Sequence, residues 1–173
     1  MAQTSLKFEI PNDTLHDRLG GVIPGGTIMA IVGKYGSGKS VLSQRLVYGF
    51  LHNKHSVSYI STEMTTASFL KQMNSLDYKV LDYLILKTLR FVPVYPLIGK
   101  PLDRKDFLSR LMNAPHLFET DVIVIDTFSA LAKDELTVKK TLDVLSFFKK
   151  MYYPDDRYRR NVIRMFNTIS GNG

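Results

Sequence analysis

The sequence has no cysteine, which removes a disulfide framework and a thiolate metal centre and fits a cytoplasmic setting. It has no stretch of about 18 uncharged apolar residues, so no membrane-spanning helix and no direct insertion into a bilayer are expected. Met1-Ala2-Gln3-Thr4-Ser5-Leu6-Lys7 lacks the basic-then-apolar layout of a secretory signal. No internal repeat or low-complexity linker breaks the chain. Histidine chemistry is sparse. His52 and His55 stand three apart in a predicted loop without a third ligand, and His16 and His116 are isolated. No Ser-His-Asp constellation or paired-carboxylate site suggests itself. Acids are outnumbered 16 to 23 by Lys and Arg, which leaves a net charge of +7. Much of that excess sits in Lys139-Lys140, Lys149-Lys150, Arg157, Arg159, Arg160 and Arg164, a pattern that reads as a solvated helix face and a basic tail. It does not by itself identify a partner. At 173 residues and 45% apolar content, the chain is one domain with a real core.

What is present is organised around Ile28-Met29-Ala30-Ile31-Val32-Gly33-Lys34-Tyr35-Gly36-Ser37-Gly38-Lys39-Ser40. An apolar run meets G-x-x-x-x-G-K-S and then a helical pattern, the context a phosphate-binding loop needs. Gly33, Gly36 and Gly38 are expected to take positive φ and turn their N–H groups inward. Lys39 would reach the β- and γ-phosphates, and the Ser40 hydroxyl would ligate Mg²⁺. The helix that starts near Lys39, with Val41 in its first turn, aims its positive dipole end at the same anion. A nucleoside triphosphate is the expected ligand.

Upstream, Leu6, Phe8 and Ile10 form a short apolar patch, and Asn12 or Asp13 can cap a short helix with Leu15 and Leu19 on one face. Gly20–Gly26 then turns the chain into the P-loop strand. Downstream, Val41, Leu42, Leu46, Val47, Phe50 and Leu51 recur at helical spacing, with Gln44 and Arg45 on the opposite face. Ser56–Ser61 reads as a strand, and residues 65–73 as a helix with Phe69, Leu70 and Met73 inward. Leu84–Val94 is expected to be an extended edge segment closed by Pro93 and Pro96. Helices are predicted over 103–112 and from Leu136 to Tyr152. Asp121-Val122-Ile123-Val124-Ile125-Asp126 is a continuous apolar run closed by an acid, the pattern of a buried parallel strand. Alternating strands and helices predict an α/β fold with a mostly parallel sheet flanked by helices, whose ligands bind at the carboxyl ends of the strands.

Three segments should meet on that rim: the P-loop, Glu63 and Asp126. Asp126 is the expected second anchor of Mg²⁺, against the plainer alternative of a strand-ending turn cap. Glu63 could orient and deprotonate an attacking water, against the alternative of an exposed loop glutamate. Tyr35 would cover the phosphates.

Leu15–Thr27, with Leu19-Gly20-Gly21-Val22-Ile23-Pro24-Gly25-Gly26, runs into the P-loop strand in a way that resembles the RecA/KaiC/RadA superfamily. Within that superfamily, Gly38–Gly49, Tyr59-Ile60-Ser61-Thr62-Glu63, Phe69–Met73, Leu89–Val94 and Val122–Ala132 resemble the FlaH-type ATPase of the archaellum, the archaeal flagellum. The resemblance covers about residues 6–150. It implies a RecA-like fold and a cytoplasmic subunit that binds ATP and Mg²⁺ at the base of the membrane-embedded motor. There it would associate with the motor ATPase, the membrane platform protein and a ring-forming scaffold, and could form a homo-oligomer, a hexamer in the full-length form. By the same resemblance Gly33, Lys34, Tyr35, Gly36, Ser37, Gly38, Lys39, Ser40 and Val41 carry the nucleotide, Ser40 and Asp126 the metal, and Glu63 is the catalytic glutamate. KaiC-like ATPases often carry a second glutamate where Met64 stands, which favours a binding switch with weak hydrolysis. The alternative is an active RecA/KaiC/RadA-like ATPase acting on nucleic acid or as a signalling oligomer. No helix-hairpin-helix segment precedes residue 6, which speaks against nucleic acid as a partner.

In the superfamily a further strand inserts between the P-loop strand and the Asp126 strand, and it should be almost wholly apolar. Here stands Arg159–Ser170 with Arg164 inside it, and an unpaired buried arginine would cost several kcal/mol. Residues from about 152 to 173 are therefore expected to be a foreign or disordered tail, left by truncation or frameshift of a single domain over 1–173 with an incomplete sheet.

Overall fold

The computed structural model describes residues 5–94, 114–126 and 163–169. The helices predicted over 103–112 and Leu136–Tyr152, and the basic pairs at 139–140 and 149–150, lie outside the described residues.

The chain opens with β1 (Ser5–Lys7), α1 (Leu15–Arg18) and β2 (Val22–Pro24), with β1 and β2 antiparallel and Leu6 opposite Ile23. Leu6, Phe8 and Ile23 are buried. Thr14, not Asn12 or Asp13, stands at the N-cap of α1, while Asp13 Oδ1 accepts from the Leu15 N–H at 2.7 Å one residue earlier. The same carboxylate receives both Nε and Nη2 of Arg45, which ties the lead-in segment to the helix after the P-loop. Leu19 does not turn inward; it is largely exposed.

The main sheet takes β3 (Ile28–Gly33), β4 (Val57–Ser61), β5 (Leu89–Pro93), β6 (Val122–Asp126) and β7 (Ile163–Ile169) in the order β3-β7-β6-β4-β5. Every pairing is parallel. β4 and β6 are buried at every position, as strands covered on both faces require; β6 is an apolar run closed by Asp126, while β4 also buries Ser58 and Ser61. At their amino ends Asp121 Oδ2 accepts from the Ser56 N–H (2.9 Å) and hydroxyl (2.7 Å), which fixes their register. Among the described residues β3 is an edge strand, and Ile28 and Val32 on one of its faces are 56% and 60% exposed.

β7 corrects the expectation for the tail at 163–169. It is an interior strand, hydrogen-bonded on one side to β3 and on the other to β6. Ile163, Met165 and Asn167, alternate residues on one face of the strand, are fully buried, and one of them is polar.

α2 (Lys39–His52) begins at the P-loop, α3 (Thr66–Ser75) follows β4, and α4 (Leu81–Ile85) precedes β5. Three expectations change here. Gln44 is fully buried, and Arg45 is half-buried against Asp13, because α2 is covered on more than one side. Its buried set runs through Ser43, Gln44, Leu46, Val47, Gly49, Phe50 and Leu51. Leu84 and Ile85 are helical, so the extended edge segment starts only at Leu89. His52 closes α2 and does not lie in a loop. α3 matches its prediction, with Phe69 and Met73 buried and the Thr65 hydroxyl accepting from the Ser68 N–H at 3.1 Å as its cap.

Candidate functional site

Parallel strands bring their carboxyl ends to one rim, and the predicted residues meet there. Gly33 ends β3, and the loop Lys34–Gly38 passes into α2. Gly36 (φ +75°) and Gly38 (φ +82°) take the left-handed conformation that a side chain would resist. Gly33 differs from expectation. It lies in the strand, and its missing Cβ matters because one built there would sit 2.5 Å from Ser37 Oγ. The loop is closed by the Ser37 N–H to the Lys34 carbonyl (3.2 Å), and Lys39 Nζ donates to that carbonyl at 2.7 Å. The ammonium is thus already at the loop, on a flexible stem. Gly38 is the N-terminal cap of the fourteen-residue α2, which leaves the first-turn N–H groups facing the loop.

The loop and first turn, Tyr35 through Val41, line an open cavity of about 290 Å³ with Glu63 on its far wall. Tyr35 is 86% exposed at the rim. Glu63 is positioned by its backbone: the Ser61 hydroxyl accepts from the N–H groups of Glu63 (3.3 Å) and Met64 (3.0 Å). The Thr62 N–H donates to the Asp126 carbonyl at 2.7 Å, so the Glu63 turn is fastened to the end of β6. Met64 Sδ faces Gln44 Nε2 at 3.8 Å, and that amide also donates to Gln72 Oε1 at 3.1 Å.

Asp126 is buried at the floor and gathers donors from three elements. Its Oδ1 accepts from Ser40 Oγ (3.1 Å) and Asn167 Nδ2 (2.7 Å), and its Oδ2 accepts from the Tyr59 hydroxyl (2.6 Å). Asn167 Nδ2 also donates to Ser43 Oγ at 3.0 Å. Burial pushes the Tyr59 phenol well above its usual range, and the neighbouring Asp126 carboxylate pushes the same way. Asn167 and Tyr59 were not singled out in the sequence. A polar residue in each of two buried strands was the available signal; their convergence on Asp126 depends on strand order, which local patterns do not encode. The remaining candidates stay apart: His16 lies beside Asp13 and Asp17, and His55 packs on Phe50 with burial lowering its pKa. No cluster of three His, Cys, Asp or Glu exists among the described residues.

These residues fit a nucleotide phosphate tail and its magnesium. The loop offers inward N–H groups, a lysine and a helix amino terminus, all suited to an anion. Ser40 and Asp126 bring a hydroxyl and a carboxylate together, and Mg²⁺ takes one or two such protein oxygens alongside phosphate and water. Asn167 Oδ1 is buried without a hydrogen-bond partner among the described residues, an acceptor left over at the floor of the site.

A family model described as "ATPase: KaiC" matches residues 11–153, which takes in the whole P-loop rim apart from β7. The chain belongs to the KaiC family of ATPases. Among KaiC-family relatives, the archaeal flagellar ATP-binding protein FlaH of Methanocaldococcus jannaschii is 42% identical over 145 residues, 84% of this chain and 62% of the relative. FlaH of Methanococcus voltae is also 42% identical over 145 residues, with 63% of its length covered. FlaH of Sulfolobus acidocaldarius is 35% identical over 143 residues, with 59% of its length covered. The chain therefore spans about three fifths of the length of the curated relatives it matches. The crystal structure of the flagellar accessory protein FlaH from M. jannaschii superposes with a TM-score of 0.80 at 39% identity, covering 95% of this chain and 71% of that one. The RecA-like α/β architecture expected from the sequence is thus that of a solved KaiC-family relative.

Proposed function

We propose that this chain binds MgATP at Gly33–Ser40 and Asp126 and acts as a nucleotide-dependent assembly subunit of an archaeal flagellar motor, with slow or no hydrolysis. The observation that carries the reading is one cavity lined by the P-loop and Glu63, with Asp126 hydrogen-bonded to the lining Ser40, in a chain 42% identical to proteins named archaeal flagellar ATP-binding protein. In this reading Lys39 and the first-turn N–H groups neutralise the phosphates, Ser40 and Asp126 hold the metal, and Glu63 is the group available to orient a water. Met64 supports slow chemistry. A thioether half-buried against Gln44 cannot take a proton, so Glu63 is the single carboxylate at that turn.

The proposed partners are the motor ATPase, the membrane platform protein and the ring scaffold, reached from the cytoplasmic side of the membrane. No helix among the described residues is long and apolar enough to cross a membrane, in keeping with a peripheral position. Two measurements test the proposal together. Radiolabelled ATP recovered from the purified protein should remain ATP for many times its dissociation lifetime. The motor ATPase should co-purify in ATP and be lost in nucleotide-free buffer. Rapid conversion to ADP, or partner capture indifferent to nucleotide, would refute the switch.

A further inference from the structure

Tyr59 is an expensive choice for its position. Its side chain is fully buried, stacked on Phe91 (centroids 5.8 Å apart, 19° between planes) and tilted against Phe69 at 5.1 Å. Phe69 and Phe91 themselves stack at 4.4 Å. A phenylalanine would complete this aromatic cluster without desolvating a hydroxyl, so the hydroxyl needs a partner to be tolerated there. That partner is Oδ2 of Asp126 at 2.6 Å. The ring is confined, because it is fully buried with Phe69 of α3 and Phe91 of β5 packed against it. The hydroxyl is therefore a fixed donor, unlike a serine hydroxyl, which rotates. Meanwhile the other oxygen, Oδ1, faces Ser40 and Asn167. The two carboxylate oxygens have different neighbours: one lies beside the P-loop serine, and one is anchored in the aromatic cluster.

We propose that Tyr59 is the positioning residue of the metal carboxylate: by pinning Oδ2 it stops Asp126 from rotating and keeps Oδ1 beside Ser40, where Mg²⁺ would bind. The inference rests on the MgATP reading above and deepens it. Tyr59 touches neither nucleotide nor metal; it acts through Asp126. Hydrogen-bond partners one shell beyond a metal ligand typically contribute roughly 10–100-fold to metal affinity. Because the aromatic cluster packs under the metal carboxylate and not under the phosphate loop, losing the hydroxyl should weaken the metal and spare the phosphate contacts.

The test uses the full chain and a fluorescent ADP analogue, titrated first in EDTA and then with Mg²⁺. Tyr59→Phe should bind the analogue in EDTA within about two-fold of wild type, while the half-saturating Mg²⁺ concentration rises about ten-fold or more. Phe91→Leu, which loosens the packing of the ring but keeps the hydroxyl, should raise that concentration by less than Tyr59→Phe does. A Tyr59→Phe magnesium curve that overlays wild type, or an equal displacement in Phe91→Leu, overturns the positioning role while leaving the nucleotide site intact. If the wild-type protein binds no analogue in either buffer, the nucleotide reading and this inference fall together. Should Tyr59→Phe not fold, 3-fluorotyrosine placed at position 59 gives a single fluorine resonance. It should move when Mg²⁺ is added to the ADP-loaded protein, and a static resonance overturns the proposal.

Discussion

Replacing Asn167 tests whether β7 lies between β3 and β6. Its amide donates to the Asp126 carboxylate at 2.7 Å and to the Ser43 hydroxyl at 3.0 Å, with the side chain fully buried. Asn167→Ala removes a hydrogen bond to a charged acceptor, about 1.5–3 kcal/mol, and a neutral one, about 1 kcal/mol. The sum, about 3 kcal/mol, corresponds to a melting temperature lower by roughly 6–12 °C for a chain of this size. Asn167→Asp sharpens the test by setting a second carboxylate against the first. Two unit charges about 3 Å apart repel by about 5 kcal/mol at an effective dielectric of 20, and the pair escapes by keeping one proton. A carboxyl whose pKa is raised on folding is a penalty that appears as pH climbs above its unfolded value, about 3.9, and is complete above the raised folded value. Asn167→Asp should therefore lie closer to wild type at about pH 5 than at about pH 8. The assay is thermal melting by circular dichroism in EDTA, so that no metal bridges the new pair. An Asn167→Ala melting point within about 2 °C of wild type, or a loss in Asn167→Asp independent of pH, would refute the placement of β7.

Further expectations address other parts of the fold. Asp13 is held below the usual carboxylate range chiefly by its hydrogen bonds to Arg45, so its contribution is present above the unfolded pKa and fades as pH falls through the folded one. Asp13→Asn, which can still accept from Leu15, should cost about 1 kcal/mol in melts at neutral pH, and the gap to wild type should close below about pH 4. Gly49→Ala should destabilise despite the better helix propensity of alanine, because the added Cβ would collide with the Phe8 carbonyl. Overpacking costs of about 1–3 kcal/mol exceed the propensity gain of about 1 kcal/mol, and chemical denaturation should show a lower midpoint. Glu63→Gln should leave ATP affinity unchanged in fluorescence titrations while abolishing whatever hydrolysis the protein has. Lost affinity would show that Glu63 holds the ligand and does not act on water.

How much of this was legible in the sequence depended on how local each constraint is. The P-loop is a backbone device, and the glycines that permit its turn are written at fixed spacing next to the lysine and serine that use it. Asp126 was legible because an apolar run closed by an acid places that acid on a strand end wherever the strand pairs. Gln44 was misplaced because helical periodicity assumes one covered face, while α2 is covered on several. β7 was misjudged for a related reason. An interior strand was required to be apolar throughout, although one of its buried residues, Asn167, is polar and serves Asp126. The Tyr59 contact spans 67 residues of sequence and arises only once β4 and β6 are neighbours in register. No short pattern contains it.

The account turns on a triphosphate held by the loop between Val32 and Lys39 with magnesium at Ser40 and Asp126. Isothermal calorimetry of the folded protein with MgADP tests this most directly. One binding site per chain, lost in Lys39→Ala and weakened when EDTA removes the magnesium, is the predicted result. A folded protein that gives no heat of binding with MgADP, or a Lys39→Ala variant that binds as wild type does, would contradict it.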